Sequence, residues 1–154
     1  MLNTYGGSWD TAIMLYSMLK AMQSTTFIKT VGISSVYSAG AIIFMAGNER
    51  LASYYTDFLI HITRIATPYE SSTNSLNYVN KHLDTAKRVM KDIFGKYLSR
   101  DEISLITEAS TDFYMNEMQA LERGIVTYVG FVHPDDYLLA QETPAQFEGG
   151  NQNE

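Results

Sequence analysis

The sequence predicts an α/β fold in which short parallel strands alternate with helices. Residues 26–33 are rich in β-branched side chains, as in a buried strand. Two helical segments flank that run, residues 9–23 after a pair of glycines and residues 39–46 after Ser38. Helices placed between strands in this order are typical of parallel strands joined by crossovers. We therefore expect one α/β unit to organise the chain.

The composition limits the classes of function. The 154 residues suffice for one core and one domain. The absence of cysteine excludes disulfides, thiolate zinc sites and cysteine nucleophiles, and fits a reducing cytoplasm. The net charge is −6 and the 11 Lys and Arg residues are scattered, so we expect no nucleic-acid partner. Without a long apolar run or a signal-peptide pattern, we expect no membrane partner and a cytoplasmic location.

The first residues predict a turn, with almost no strand before it, followed by a helix. Gly6 and Gly7 permit positive φ and the close approach of another backbone, and Ser8 suits the N-cap of the helix. Apolar residues then recur at helical spacing: Ala12, Leu15, Tyr16, Leu19 and Met22. A simple loop is the alternative for paired glycines taken alone.

The middle of the chain predicts a strand that turns directly into a helix. The β-branched run leads to Ser38, and the apolar helix after it ends at Gly47, which suits the C′ position. Residues 51–52 and 58–60 then predict two short strands around a polar turn. The second of these strands ends in His61.

Residues 72–98 predict the longest helix. Its apolar positions alternate in steps of three and four: Leu76, Val79, Leu83, Ala86, Met90, Ile93 and Tyr97. Such a narrow seam is typical of a surface that packs on another helix, in the same chain or in a neighbouring subunit. An ordinary surface helix on its own core is the alternative, because three heptads barely suffice for a coiled-coil pattern.

Capping patterns indicate two shorter helices further on. Residues 99–102 have the form of a capping box ahead of a helix that continues to about residue 109. Residues 116–119 repeat the pattern before a helix that Gly124 ends. Residues 110–113, between the two helices, predict a loop.

The C-terminal part predicts one more strand and then a tail. Residues 125–129 have strand composition. From His133 onward Pro, Gly, Gln, Asn and Glu dominate. We therefore expect a domain over residues 1–132 and a polar, acidic and disordered tail over residues 133–154.

The strand-to-helix corner indicates a serine nucleophile. A hydroxyl at such a corner is exposed to substrate, and free backbone N–H groups beside it can bind a developing negative charge. His61, at the end of the next apolar strand, suits the general base for Ser38, although histidines in such places are more often hydrogen-bonded core residues. Asp112 is the best-placed acid to orient the histidine. We predict Ser38, His61 and Asp112 as a catalytic triad.

The expected oxyanion donors are backbone amides. Ala39 follows the nucleophile at a helix start, and Gly6 and Gly7 offer further unencumbered N–H groups. Ser34 and Ser35 are rival nucleophiles, but they precede the helix start and lack an adjacent pair of donors. We predict no metal site.

Four segments carry a family resemblance, and they occur in the family's order. Leu2-Asn3-Thr4-Tyr5-Gly6-Gly7-Ser8 is similar to the turn Asn-Ser-Pro-Gly-Gly-Ser, and Ser38-Ala39-Gly40-Ala41 with Ala46-Gly47 is similar to Ser-Met-Gly-Ala…Ala-Gly. Arg50 with Phe58-Leu59-Ile60-His61 resembles Arg…Met-Ile-His. Asp112-Phe113-Tyr114-Met115-Asn116, with Ala120, Glu122 and Gly124-Ile125-Val126, resembles the segment of the triad aspartate. The family is the caseinolytic serine peptidases, the proteolytic subunits of the ATP-dependent Clp protease.

The resemblance implies a Clp-protease/crotonase-like α/β fold of repeated ββα units, with residues 72–98 as a projecting handle helix. It implies a serine endopeptidase that hydrolyses unfolded polypeptides inside homo-oligomeric rings of seven subunits, with Ser38, His61 and Asp112 as the triad. It also implies an AAA+ unfoldase partner that consumes the ATP, so that this chain itself needs no cofactor.

Other interpretations stay open at this point. The family's axial loop, first helix and first strands have no counterpart here, so we expect a fragment or a divergent, for example phage-encoded, member. A catalytically silent ring subunit or assembly scaffold would keep the fold without hydrolysis. An acyl-thioester enzyme of the related crotonase fold would share the glycine-rich turns but leave Ser38, His61 and Asp112 unexplained.

Overall fold

The computed structural model describes residues 1–64 and 73–132, so the predicted tail over residues 133–154 lies outside the described residues. In the described part, strands and helices follow in this order: β1 (Leu2–Thr4), α1 (Trp9–Met22), β2 (Lys29–Tyr37), α2 (Ala39–Phe44), β3 (Glu49–Ala52), β4 (Asp57–Ile60), α3 (Thr73–Phe94), α4 (Arg100–Thr107), β5 (Phe113–Asn116), α5 (Glu117–Glu122) and β6 (Tyr128–Val129). The predicted alternation of strands and helices is confirmed.

The sheet is built around β2. Its strands lie in the order β5-β4-β2-β3-β6, and β1 also pairs with β2. The first half of β2 pairs in parallel with β3 and its last residues pair in parallel with β4. Because β2 and β4 run in the same direction, their carboxyl ends lie at the same edge of the sheet. The expected parallel unit is therefore confirmed, and β5 adds one antiparallel strand next to β4.

The strands differ from the sequence predictions in their bounds and in two additions. β2 runs over residues 29–37 rather than 26–33, and β6 covers only residues 128–129 of the predicted 125–129. β1 and β5 are strands that the sequence does not predict. β1 was expected to be part of a turn, but Leu2 pairs with Gly32 and Thr4 with Val36. β5 includes Phe113, which was expected in a loop, and Phe113 pairs with Ile60. Both strands are short and owe their conformation to pairing with a neighbour, which a local sequence pattern does not reveal.

Gly47 does not have the predicted C′ role. Helix α2 ends at Phe44 with a right-handed cap at Met45, and Gly47 is not among the described residues with positive φ. A Cβ on Gly47 would instead collide with the side chain of Thr30 and the carbonyl of Glu49. The glycine is therefore needed for close packing against β2 and β3.

Helix α3 has two different halves. In its second half Ala86, Met90 and Ile93 are buried in the domain's own core, while near its start Leu76 is 49% exposed. The predicted seam thus packs on the same chain over only part of its length. In the described ranges, none of the helices combines the length and hydropathy required to cross a membrane.

The core lies between the sheet and the helices. Phe44 of α2 and Phe58 of β4 pack with ring centroids 5.2 Å apart, and Val36, Met90 and Phe94 are likewise almost completely buried. Burial of each such side chain stabilises the fold by about 1.5–3 kcal/mol. This packing fixes β2, β4 and α2, which carry the predicted nucleophile and base.

The predicted capping residues at the starts of α1, α4 and α5 are confirmed, whereas the predicted start of the longest helix at residue 72 lies outside the described residues. The Ser8 hydroxyl accepts a hydrogen bond from the Thr11 N–H at the start of α1. Reciprocal capping boxes open α4, through the residue pair 99/102, and α5, through the pair 116/119. Gly124 has a φ of 74°, as expected of a glycine that ends a helix.

Candidate active site

Ser38 forms the sharp corner between β2 and α2. Its φ of 56° and ψ of −119° lie in a region that residues other than glycine rarely adopt. The Ser38 N–H donates a hydrogen bond to the Leu59 carbonyl at 2.8 Å, and the Ser38 carbonyl accepts one from the Ala41 N–H at 3.0 Å. The hydroxyl does not cap α2. The backbone therefore holds a strained corner and leaves Oγ for other contacts.

His61 directly follows β4 and reaches this hydroxyl. The parallel register pairs Tyr37 with Leu59, so the residues after the two strands meet at the same edge of the sheet. The distance between His61 Nε2 and Ser38 Oγ is 2.8 Å, which is a hydrogen bond and within the reach required of a general base. The structure thus brings together the predicted nucleophile and base.

Asp112 directly precedes β5, as His61 directly follows β4, but its carboxylate bonds elsewhere. β5 pairs with β4 through Ile60 and Phe113, and extending that register by one residue sets Asp112 opposite His61. Yet Asp112 Oδ1 accepts a hydrogen bond from Arg64 Nη2 at 2.6 Å. Among the described residues, no partner is within hydrogen-bond distance of the buried His61 Nδ1. The expected bond between Asp112 and His61 is therefore not formed in this arrangement, since a charged guanidinium competes for the carboxylate.

Arg64 is the residue that the sequence reasoning missed. Its place three residues after His61 carries no motif, because the segment that resembles Arg…Met-Ile-His ends at the histidine. The signal that points to Arg64 is the antiparallel register of β4 and β5, because the residues that follow β4 lie near the residues that precede β5. Arg64 therefore belongs to the candidate site together with Asp112.

The paired glycines and Ala39 have different roles at the corner. Gly6 has a φ of 114°, and its N–H already donates to Thr4 Oγ1 at 3.0 Å. Among the hydrogen bonds of the described residues, the N–H groups of Gly7 and Ala39 take no part. Gly6 thus allows close approach to the nucleophile, whereas Gly7 and Ala39 keep free amides, as expected of oxyanion donors.

A cavity of about 150 Å³ opens at the nucleophile. Its lining combines the expected catalytic and amide groups with apolar and charged side chains: Gly7, Trp9, Ser38, Ala39, Ile42, His61, Thr63 and Arg64. Two larger grooves, of about 610 and 520 Å³, lie along α3 and include none of the predicted site residues in their lining. The smaller cavity is the one that chemistry at Ser38 would use.

The comparison with known families agrees with this geometry. A sequence profile described as Clp protease matches residues 1–133. The chain belongs to the Clp protease family. The match covers every element described above, from β1 to β6. The family resemblance carried by the four sequence segments is therefore confirmed.

Two curated relatives show how much of a family protein is represented. The ATP-dependent Clp protease proteolytic subunit 2 of Borreliella burgdorferi is 27% identical over 132 residues, which cover 81% of this chain and 62% of that protein. The ATP-dependent Clp protease proteolytic subunit of Paracoccus denitrificans is 25% identical over 130 residues, with 82% and 62% covered. This Clp protease family member thus spans 62% of the length of either relative.

Solved structures confirm the predicted fold class. ClpP1 from Listeria monocytogenes superposes on this family member with a TM-score of 0.62 at 23% identity, covering 85% of this chain and 71% of that one. A point mutant of the same protein gives a TM-score of 0.64 at 23% identity, with 87% and 72% covered. The expected Clp-protease α/β fold is therefore present.

Proposed function

We propose that this chain is a serine endopeptidase that hydrolyses peptide bonds through an acyl-enzyme. The observation that carries the proposal is the 2.8 Å contact between Ser38 Oγ and His61 Nε2 at a strained strand-to-helix corner. A serine hydroxyl that donates to an imidazole acceptor is the arrangement that activates a serine. Membership of the Clp protease family supports the same reaction class.

The proposed reaction follows from the atoms at the corner. Ser38 Oγ attacks the carbonyl carbon of the peptide bond while His61 Nε2 takes its proton, and the carbonyl oxygen becomes an oxyanion. The N–H groups of Gly7 and Ala39 stabilise that oxyanion, each by about 3 kcal/mol of barrier if well aimed. His61 then gives the proton to the leaving amine as the C–N bond breaks. Water activated by the same imidazole cleaves the ester and regenerates Ser38.

Asp112 completes the proposed triad when it turns to His61. A carboxylate on Nδ1–H fixes the tautomer in which Nε2 accepts the serine proton, and it stabilises the imidazolium that forms. The extended register of β4 and β5 supports this role, because it sets Asp112 opposite His61. The reaction requires no cofactor and no metal from this chain.

The assembly and partners are proposed from the relatives. Both curated relatives are named proteolytic subunits of an ATP-dependent Clp protease. We extend this to a homo-oligomeric ring of seven subunits in the cytoplasm, which takes unfolded polypeptide from an AAA+ unfoldase that consumes the ATP. The exposure of the first half of α3, where Leu76 is 49% and Tyr78 66% exposed, supports burial in such an assembly.

A catalytically silent ring subunit is the second candidate. The observation that favours it is the bond between Asp112 and Arg64, which leaves His61 without its orienting acid. The acyl-thioester interpretation is not retained, because the family match is to Clp protease.

A fluorophosphonate probe separates the two candidates. We expect the full chain to be labelled at Ser38, as mapped by mass spectrometry, and Ser38→Ala to abolish both labelling and hydrolysis of a fluorogenic peptide. His61→Ala should lower kcat by about 10⁴-fold or more. Ser34→Asn removes a rival hydroxyl and suits the positive φ of 64° at that position, so labelling should persist. Absence of labelling in an oligomer verified by native mass spectrometry would support the silent subunit.

A further inference from the structure

We propose that Arg64 and His61 compete for the carboxylate of Asp112, and that Arg64 holds the site in its less reactive arrangement. Arg64 Nη2 lies 2.6 Å from Asp112 Oδ1, while the buried Nδ1 of His61 has no partner among the described residues. This inference rests on the proposed serine chemistry and adds a residue that restrains it.

Only a small movement separates the two arrangements. The register of β5 on β4 ends at the pair Ile60 and Phe113, and continuing it by one residue would set His61 opposite Asp112. Residues directly opposite in an antiparallel pair have Cβ atoms about 4.5–5.5 Å apart. Rotation of the Asp112 side chain could therefore move its carboxylate from Arg64 to His61 while β4 and β5 stay paired.

The competition is balanced because the ion pair is exposed. The Arg64 side chain is 68% exposed and that of Asp112 31% exposed. Exposed ion pairs shift an equilibrium by only about fivefold or less, and salt screens them. Bonding of Asp112 to the buried His61 Nδ1 would satisfy a polar atom that is otherwise without a partner. The ion pair between Arg64 and Asp112 is thus strong enough to hold the carboxylate, and weak enough for His61 to replace Arg64 as its partner.

Release of Asp112 would act on the chemical step. With the carboxylate on Arg64, the imidazole of His61 lacks the group that fixes its tautomer and stabilises its cation. With the carboxylate on Nδ1–H, Nε2 is the acceptor for the Ser38 proton. Loss of Arg64 should therefore raise kcat and the labelling rate of Ser38, while KM for a short uncharged peptide changes little.

The test compares the full chain with Arg64→Gln. We expect fluorophosphonate to label Ser38 up to about fivefold faster in the variant, in line with the strength of an exposed ion pair. Raising salt from about 0.01 M to about 1 M shortens the Debye length from about 30 Å to about 3 Å, so labelling of the parent chain should rise towards that of Arg64→Gln. Arg64→Gln itself should respond less to salt.

Matched variants isolate the contact. Lys87→Gln breaks another 2.6 Å ion pair, between Lys87 on α3 and Glu108 at the C-cap of α4, and should leave labelling and its salt response unchanged. In Arg64→Gln/Asp112→Asn the gain should vanish, because the released group is no longer a carboxylate. When the parent chain reacts with the probe, an unchanged or slower Arg64→Gln, or a gain that persists without Asp112, would overturn the proposal.

A spectroscopic measurement tests the same exchange without catalysis. In Ser38→Ala protein with labelled histidine, a carboxylate-bound Nδ1–H of His61 gives a downfield imidazole proton signal, assigned by its loss in His61→Gln. We expect Arg64→Gln to strengthen that signal, and no change would contradict the competition. If the parent chain and Arg64→Gln are both unreactive to the probe, the proposed peptidase activity fails while this measurement still decides the role of Arg64.

Discussion

Gly6 packs directly against Ser38. A Cβ atom on Gly6 would lie 2.7 Å from Ser38 Cβ and 3.2 Å from its Oγ, and the φ of Gly6 is 114°. Real Cβ atoms do not approach another carbon so closely, and L residues rarely adopt this φ. The turn after β1 therefore requires glycine at position 6, both for its positive φ and because a side chain would collide with Ser38. The backbone of Gly6 thus packs against one side of the nucleophile.

Gly6→Ala should impair the reaction more than the fold. The added methyl group must displace the Ser38 side chain, and a shift of about 1 Å in a reacting group can cost about 10²-fold in rate. We expect the fluorophosphonate labelling rate to fall by at least this factor, while circular dichroism shows a folded protein. Gly7→Ala is the control for stability, because its Cβ would have no heavy atom within 4 Å, and it should keep the thermal midpoint. Wild-type labelling of Gly6→Ala would contradict the importance of this contact.

The pairing of Ser38 with His61 could be predicted from the sequence. Both residues follow strand-like runs, and neighbouring parallel strands have their carboxyl ends at the same edge of the sheet. The bond between Asp112 and Arg64 could not be predicted in the same way. It depends on whether Arg64 or His61 donates the hydrogen bond to the carboxylate of Asp112. Neither composition nor spacing specifies that choice. The sequence thus predicts that Ser38 and His61 meet, but not that Arg64 binds the carboxylate of Asp112.

The fold was predictable where the signals are local. The capping residues Ser8 and Ser99 start helices as expected, because the side-chain-to-backbone bond lies within one turn. β1 and β5 were missed or displaced because their conformation depends on pairing with β2 and β4. Gly47 was misassigned for a similar reason, since the contact that requires glycine is with residues distant in the sequence.

Gly40→Ala should destabilise the fold through a single contact. A Cβ on Gly40, in α2, would collide with the Cγ2 methyl of Thr4 in β1. Helix propensity favours alanine by about 1 kcal/mol, but overpacking costs about 1–3 kcal/mol, so we expect a net loss of about 1 kcal/mol. Chemical denaturation measures the free energy of unfolding.

Thr4→Ser provides the matched rescue for Gly40→Ala. Serine lacks the Cγ2 methyl but keeps the hydroxyl that accepts the Gly6 N–H at 3.0 Å. In the Thr4→Ser background, Gly40→Ala should be neutral or stabilising. In a double-mutant cycle, the double variant should therefore lose less free energy of unfolding than the sum of the two single variants. Equal losses in both backgrounds would show that the Thr4 methyl is not the cause.

Arg50→Lys should destabilise the C-terminal part of the sheet. The guanidinium of Arg50 donates to the carbonyls of Ile125 at 2.7 Å, Gly47 at 3.0 Å and Gly124 at 3.0 Å. A lysine ammonium cannot reproduce the planar arrangement of these three donors, so some of the three carbonyls lose their hydrogen bond to a charged group. We expect the free energy of unfolding to fall by about 2 kcal/mol. Arg88→Lys, on an exposed position of α3, should change it by less than about 0.5 kcal/mol, and a similar loss in both variants would contradict the role of this planar arrangement.

Glu102 should contribute stability that depends on pH. The Ser99 N–H and the Arg123 guanidinium hold the pKa of Glu102 below its usual value of 4.5. Because the folded pKa is lowered, the contribution is complete above pH 4.5 and is lost as the pH falls through the folded pKa. Glu102→Gln can keep the capping bond but not the charge, so it should cost about 0.5–1 kcal/mol near neutral pH and progressively less in acid. Urea unfolding of Glu102→Gln and of the exposed control Asp84→Asn between neutral and acidic pH measures this difference, and a cost that grows as the pH falls would show that the sign is wrong.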